Sequence, residues 1–495
     1  MTQNELFKQY SEPWKPHAYQ KKAVKFLLEH ACAALFLDPG LGKSSITLAA
    51  LKLLKARGMF NKALIVAPLR VCYGVWPKEV EKWTDFEHLK VEILHGLKKD
   101  EALKREADIY VINPEGLDWL LQTKKSKGVS NKTKVEVDLR RFKSLGFDVI
   151  VIDELTKFKN TNSDRFKALK LVHKTFGRRW GLTGSPAANG LLDLFGQCYI
   201  LDEGRALGPY VTHYRQKYFT PVDRNGFVWR PQEGAEEKIY ERLAPLALRM
   251  SAEDHLDLPQ LVENNIRLEL PDEARRVYDQ LEEDLISQVE SSRIVARNAA
   301  VASGKCWQVA SGGIYLDPEV TAMGFRARGN KEWADLHHEK VEALADLVEE
   351  LQGEPVLVAY NFTHDLARIQ AKLGKDVPYI GGGVSTKRSS ELESLWNQGK
   401  LPVLLGHPQS IGHGLNLQES GHHVVWHTMT WDFELYDQFI RRVLRQGNKS
   451  KRVFVHHLIM KDTIDEIMLY ALKSKNRGQK ALFEGLKALA KKRRG

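Results

Sequence analysis

The stretch that most constrains this chain is Ala33-Ala34-Leu35-Phe36-Leu37-Asp38-Pro39-Gly40-Leu41-Gly42-Lys43-Ser44-Ser45. A short apolar run, the length of one buried strand, gives way to a turn with two glycines and then Lys-Ser. A helical pattern follows through Ile46, Leu48, Leu51, Leu53 and Leu54. Strand, glycine turn and helix in that order make a cradle for phosphate. Glycine lets backbone N–H groups converge on anionic oxygens, and the helix N-terminus adds its positive end. In such a cradle Lys43 reaches the β- and γ-phosphates and the Ser44 hydroxyl is a ligand for Mg2+. The strict G-x-x-x-x-G-K-[ST] pattern is not met, because Leu37 stands in place of its first glycine. An ordinary glycine turn before a basic helix is the competing reading of this stretch alone.

The surrounding pattern predicts an α/β fold. Apolar runs at 63–67, 91–94, 108–112 and 148–154 alternate with helical patterns, which indicates a parallel sheet covered on both faces. Ligands gather at the carboxyl ends of such strands, and the last run ends there in Asp153-Glu154. An Asp at that place can hold Mg2+, and the Glu can orient and deprotonate a water attacking the γ-phosphate. Capping of the next turn is the plainer alternative for an isolated Asp-Glu; behind a phosphate loop, catalysis is favoured. Leu182-Thr183-Gly184-Ser185-Pro186-Ala187-Ala188-Asn189 offers small hydroxyl residues suited to a sensor loop. Residues 273–295 and 297–309 read as helices, with Gly312-Gly313 and Asp317-Pro318 marking a boundary. A second alternation starts near Val341, with strands at 356–360, 403–405, 424–426 and 453–455 and helices at 364–373 and 387–396. It contains no second phosphate loop, so its expected part is to supply charge to a nucleotide held by the first lobe.

Charge and cysteine usage narrow the partners. The net charge is +11, from 74 Lys+Arg against 63 Asp+Glu, and the excess concentrates at 473–495 and at Lys124–Lys143. Clustered positive charge suggests a polyanion. The cysteines Cys32, Cys72, Cys198 and Cys306 include no C-x-x-C pair, which argues against a zinc or disulfide framework and for a reducing compartment. No apolar run approaches ~18 residues and no signal-peptide core is seen, so no membrane partner and a cytoplasmic location are expected. The histidines between His407 and His427 lack a carboxylate or Cys at ligand spacing, and His337-His338 reads as a helix start.

Taken in order, Tyr19-Gln20, Asp38 to Ser44, Asp153-Glu154 with Lys159-Asn160, and Leu182 to Pro186 resemble the motifs of superfamily 2 helicase-like ATPases, specifically the Swi/Snf type. Val75-Trp76-Pro77-Lys78-Glu79 is similar to that type's Trp-x-x-Glu segment, Ser410 to Leu417 to its fifth motif, and Gln438 to Asn448 to its sixth. Phe219-Thr220-Pro221, Leu246 to Met250, Leu258-Pro259 and Arg276-Val277-Tyr278 follow its inter-lobe segment loosely. The resemblance implies two RecA-like parallel-sheet lobes at 1–200 and 336–470, a helical inter-lobe segment at 201–335 and a basic tail at 471–495. It implies ATP, held in the cleft between the lobes by Tyr19, Gln20, Pro39, Gly40, Leu41, Gly42, Lys43, Ser44, Ser45 and Gly414, with Mg2+ on Ser44 and Asp153. The implied catalytic residues are Lys43, Asp153, Glu154, Arg442 and Arg445. A spacing of three puts the two arginines on one helix face. DNA contacts are implied at Pro68, Arg70, Asn160, Ser410, Asn416 and Trp431.

The function that follows is DNA-dependent ATP hydrolysis driving translocation along double-stranded DNA. The expected form is a monomer, and the compact length, similar to bacterial and phage members, implies a prokaryotic or phage-infected cell. Single-stranded nucleic acid is a second partner class. A strand-separating DNA or RNA helicase would share every motif. A non-hydrolysing scaffold would be expected to have lost Lys43, Glu154 or Arg445, and all are present. Three departures from the family pattern bear on coupling: Thr156 in place of His, Ser185 in place of Thr, and His413 in the fifth motif.

Overall fold

The structure is a computed structural model of the 495-residue chain. It describes residues 12–127, 133–187, 190–222, 229–290, 296–316, 332–412 and 414–473. His413, Ala188-Asn189, Asp317-Pro318 and the basic tail from residue 474 lie outside the described residues. The chain divides into two compact units, Met1–Asp257 and Leu258–Gly495. No helix among the described residues is long and apolar enough to cross a membrane.

The first unit is built on strands β1 (Cys32–Leu37), β2 (Lys62–Val66), β3 (Val91–Ile93), β4 (Ile109–Ile112), β5 (Phe147–Asp153), β6 (Arg178–Thr183) and β7 (Ala247–Met250). They pair in the order β7-β1-β6-β5-β2-β4-β3, every pair parallel. Leu64, Val66, Ile150 and Ile152 pack with Phe142, Phe158 and Phe166 in one core, while the alternate residues Ile65, Val149 and Val151 are equally buried. Burial on both faces is why these strands read as continuous apolar runs. Helix α1 (Ala18–Glu29) packs on helix α2 (Lys43–Ala56) and buries Tyr19, Gln20, Ala23, Val24 and Leu27. The strand order sets β6 between β1 and β5. Phe36 pairs with Thr183 and Asp153 with Leu182, so the loops after β1, β5 and β6 leave at one end of the sheet. The basic stretch forms an antiparallel hairpin, Lys124–Lys127 with Thr133–Glu136, and Lys125 is ion-paired to Asp118 at 2.7 Å.

The second unit carries β8 (Gln260–Leu268), β9 (Val356–Ala359), β10 (Tyr379–Ile380), β11 (Val403–Gly406), β12 (His423–Trp426) and β13 (Arg452–Met460). Their order is β8-β13-β12-β9-β11-β10, again all parallel. Leu357 and Ala359 face a core with Trp396, Trp426 and Phe439, and Val356 and Val358 face another with Val341, Leu344 and Ile369. Helices form at Asp272–Glu290, Ala296–Ser311, Thr363–Leu373 and Thr386–Asn397, where periodicity predicts them.

The stretch expected as an inter-lobe segment, 201–335, is shared between the units. Up to Asp257 it belongs with the first, where β7 adds an edge strand beside β1. From Leu258 it belongs with the second, where β8 runs along the whole of β13. Gln-Leu-Val-Glu-Asn-Asn-Ile-Arg-Leu leaves its side chains exposed or half-exposed, so neither an apolar run nor a clean alternation announces β8. Backbone pairing with a distant strand makes it a strand.

Candidate active site

The phosphate loop leaves β1 at Leu37. Gly40 and Gly42 take φ of +94° and +78°, and Gly42 caps the N-terminus of α2. A side chain at 42 would be strained and would sit 2.6 Å from the Gln20 amide nitrogen. Lys43 Nζ donates to the Leu37 carbonyl at 2.7 Å and to that of Asp38 at 3.3 Å, so the ammonium curls over its own loop. Gln20 Oε1 accepts from the His17 N–H at 2.9 Å and its Nε2 donates to Leu41 O at 3.3 Å. Gln20 therefore ties the start of α1 to the loop. Tyr19 stacks on His17 and His255, with ring centroids 5.5 and 4.9 Å away, beside a cavity of about 840 Å3. Ser44 is half-exposed on the first turn of α2, whereas the buried Ser45 turns its hydroxyl to Glu79 Oε1 at 2.5 Å. Pro39 packs against the loop after β6: a Cβ on Gly184 would lie 2.9 Å from Pro39 Cδ.

At the end of β5, Asp153 Oδ2 accepts from the Trp76 indole N–H at 3.1 Å. Burial and the neighbouring Glu154 charge push the Asp153 carboxyl up to about 6, against the opposite pull of Lys43 and the indole. Glu154 adopts a left-handed backbone, φ +68°. Its Oε1 accepts from Thr156 Oγ1 at 2.9 Å and from Thr183 Oγ1 at 3.0 Å. Lys43, Asp153, Glu154 and Thr183 thus gather at one end of the first sheet. The two hydroxyls on Glu154 were not singled out from sequence for this role. Their signal was present: Thr156 is the departure from the Asp-Glu-x-His pattern, and Thr183 opens the sensor segment.

Pro68 caps the short helix Leu69–Gly74, on which Arg70 is half-exposed; Asn160 is exposed after β5, its Oδ1 accepting from Asn162 N at 2.9 Å. In the second unit, Arg442 is 8% exposed and donates to Gly412 O at 2.6 Å, Leu415 O at 3.0 Å and Gln438 O at 3.3 Å. The fifth-motif and sixth-motif segments are laced together by this one guanidinium. Arg445 is half-exposed, with Nε on Arg441 O at 2.8 Å and Nη1 on Asn416 Oδ1. The Asn416 N–H donates to Glu393 at 2.7 Å, Gly414 has φ +78°, Ser410 is half-exposed on the turn Pro408–Ile411, and Trp431 packs partly on the core.

A parallel sheet with a Gly-Lys-Ser loop on one strand, and an acid pair one strand removed, defines a P-loop nucleoside triphosphatase. The model of the SNF2-related domain matches residues 19–308, and that of the helicase conserved C-terminal domain matches 339–447. The chain belongs to the SNF2-related family of helicase-like ATPases and is an ATP hydrolase with two units, each built on a parallel sheet. It is 34% identical over 492 residues to putative protein p41 of Acyrthosiphon pisum secondary endosymbiont phage 1, covering 95% of this chain and 98% of that one. It is 25% identical over 474 residues to the putative ATP-dependent helicase/translocase YwqA of Bacillus subtilis, covering 92% of this chain and 47% of that protein. The chain spans about half the length of that relative and of a Caenorhabditis elegans one. Among solved structures, the Sulfolobus solfataricus SWI2/SNF2 ATPase core in complex with dsDNA is similar at 23% identity and TM-score 0.40, covering 94% of this chain and 92% of that one.

Proposed function

We propose that this protein is a DNA-dependent ATPase that couples ATP hydrolysis to movement along double-stranded DNA. The observation that carries the reading is the gathering of Lys43, Asp153, Glu154 and Thr183 at the end of the first sheet, in a chain of the SNF2-related family.

The residues fit Mg2+ and a nucleoside triphosphate. Ser44 and Asp153 offer the hydroxyl and carboxylate oxygens that Mg2+ takes, and the Asp153 carboxyl, raised first by burial and then by the Glu154 charge, is one that a cation would return to its charged form. When bound, Mg2+ neutralises charge on the β- and γ-phosphate oxygens. Lys43 exchanges the Leu37 and Asp38 carbonyls for phosphate oxygens, stronger partners for an ammonium. Glu154, held at Oε1 by Thr156 and Thr183, orients the attacking water and takes its proton at Oε2. Tyr19 and Gln20 shape the base end of the site. Of the two arginines, Arg442 braces its own unit, and Arg445 is assigned to charge developing on the γ-phosphoryl group. Pro68, Arg70, Asn160, Ser410, Asn416 and Trp431 are the proposed DNA contacts, through phosphates and without base readout.

The test is the ATPase rate with duplex DNA, single-stranded DNA, RNA and no nucleic acid, beside triplex-displacement and duplex-unwinding assays. Stimulation by duplex with triplex displacement and intact strands is expected. Strand separation, or stimulation by RNA alone, would replace translocation with the helicase reading.

A further inference from the structure

We propose that the helix Trp76–Lys82 is a clamp that holds the two sides of the Mg2+–phosphate site in register, with Trp76 and Glu79 as positioning residues for ATP hydrolysis. The proposal rests on the reading that Ser44 and Asp153 hold the metal.

One side is the first turn of α2. Glu79 Oε1 accepts from Ser45 Oγ at 2.5 Å, and from the indole N–H of Trp83 at 2.8 Å. Ser45 adjoins Ser44, so the Glu79 contact fixes the turn that presents the Ser44 hydroxyl. The other side is the end of β5, where the fully buried Trp76 donates to Asp153 Oδ2 at 3.1 Å. Trp76 and Glu79 are three residues apart on one short helix and so lie on neighbouring positions of its surface. A single short helix therefore contacts one proposed ligand, Asp153, directly and holds Ser45, the neighbour of the other, Ser44.

That element is also continuous with the turn bearing Arg70. Val75 N donates to Val71 O at 3.1 Å and Glu79 N to Val75 O at 2.8 Å, with Cys72 Sγ donating to Ala67 O at 3.2 Å beneath. A phosphate drawn to Arg70 acts on the same hydrogen-bonded segment that contacts Ser45 and Asp153. Neither contact is required by packing alone. The indole N–H of a fully buried ring is aimed at an acid, and the half-exposed Glu79 carboxylate is shared by two donors.

Three variants separate positioning from packing. Trp76→Phe keeps the buried ring and removes the N–H. Glu79→Gln keeps the accepting oxygen, and Glu79→Ala removes it. The readouts are kcat and KM for ATP, the Mg2+ concentration at half-saturation for binding a fluorescent non-hydrolysable ATP analogue, and hydrogen exchange of residues 43–48 without nucleotide. Trp76→Phe and Glu79→Ala should lower kcat roughly ten- to hundredfold and raise the Mg2+ half-saturation severalfold. Glu79→Gln should stay within about threefold of wild type. Exchange at 43–48 should speed up in Glu79→Ala only. If Glu79→Ala does not fold, Trp76→Phe decides. Wild-type kcat and Mg2+ half-saturation in a folded Trp76→Phe would overturn the clamp. Loss in Glu79→Gln equal to that in Glu79→Ala would overturn it as well. Absence of Mg2+-dependent hydrolysis in the wild type would instead remove the functional reading, leaving the exchange measurement to judge the clamp.

Discussion

At the scale of single residues, Glu154 combines an unfavourable backbone with a double hydroxyl clamp. A non-glycine residue at φ +68° is strained, and such strain persists where surrounding bonds over-determine it. Thr156 and Thr183 supply those bonds. Glu154→Gln should keep both through its amide oxygen while losing the ability to accept a proton. The expected outcome is ATP bound at near wild-type affinity and not turned over, read from nucleotide binding and single-turnover hydrolysis; a collapse of affinity would make Glu154 structural. Arg442 raises the opposite question, because its position suits catalysis and its contacts are internal. Arg442→Ala would leave the Gly412 and Leu415 carbonyls without their buried donor. A loss of about 2–4 kcal/mol in urea unfolding is expected. Arg445→Ala should unfold nearly as the wild type does and lower kcat. The residue types Lys43, Asp153 and Glu154 were legible from their neighbours in sequence. The division of labour between Arg442 and Arg445 was not: their spacing of three predicts one helix face for both, whereas the helix Phe433–Ile440 ends before them and both lie in the turns that follow, where tertiary contacts decide which guanidinium meets the carbonyls of Gly412 and Leu415.

Among the elements, β8, β12 and β13 of the second unit share a polar ladder inside a parallel sheet. His457 Nδ1 meets Asn265 Oδ1 at 2.9 Å and its Nε2 meets the Tyr436 hydroxyl at 2.8 Å, while His423 Nδ1 meets His456 Nε2 at 3.1 Å. These partners suit a neutral His457 that donates from Nδ1 and accepts at Nε2. Burial pulls His423 and His457 down to about 4 and His427 down to about 3. The sign is then determined: each is neutral in the folded protein, whereas the unfolded chain takes up protons below about 6.5. Stability from these groups is complete above that pH and is lost as pH falls toward 4. At about pH 5, His423 and His457 should each remove roughly 2 kcal/mol. Hydrogen exchange over residues 452–460 should therefore speed up between pH 7.5 and 5 after correction for intrinsic rates; unchanged protection would show that the ladder tolerates charge. The ladder also explains why β8 escaped a reading by periodicity: its Asn264 and Asn265 look like turn residues until histidines 192 positions away pair with them.

For the whole molecule, charge is the lever. Replacing Lys491, Lys492, Arg493 and Arg494 by Ala should weaken binding to all DNA sequences alike and flatten the slope of log K against log[salt] by at most ~3.6. ATPase activity at saturating DNA should barely change, since no catalytic group is altered; superimposable salt titrations would leave the tail without a part in DNA binding. The sequence by itself determined the two alternations of strand and helix, the phosphate loop and the acid pair. Each is written in residues close along the chain: apolar runs for strands buried on both faces, glycines where φ must be positive, acids at a strand end. Only the tertiary structure decided that Gln20 ties the loop to α1, that Thr156 and Thr183 share Glu154, that Trp76 and Glu79 reach Asp153 and Ser45, and that β7 and β8 complete different sheets. Those outcomes depend on strand order, which sets β6 between β1 and β5 and brings hydrogen-bonding groups together across tens to hundreds of residues. No local pattern encodes such a meeting, because its geometry exists only once the sheet has formed.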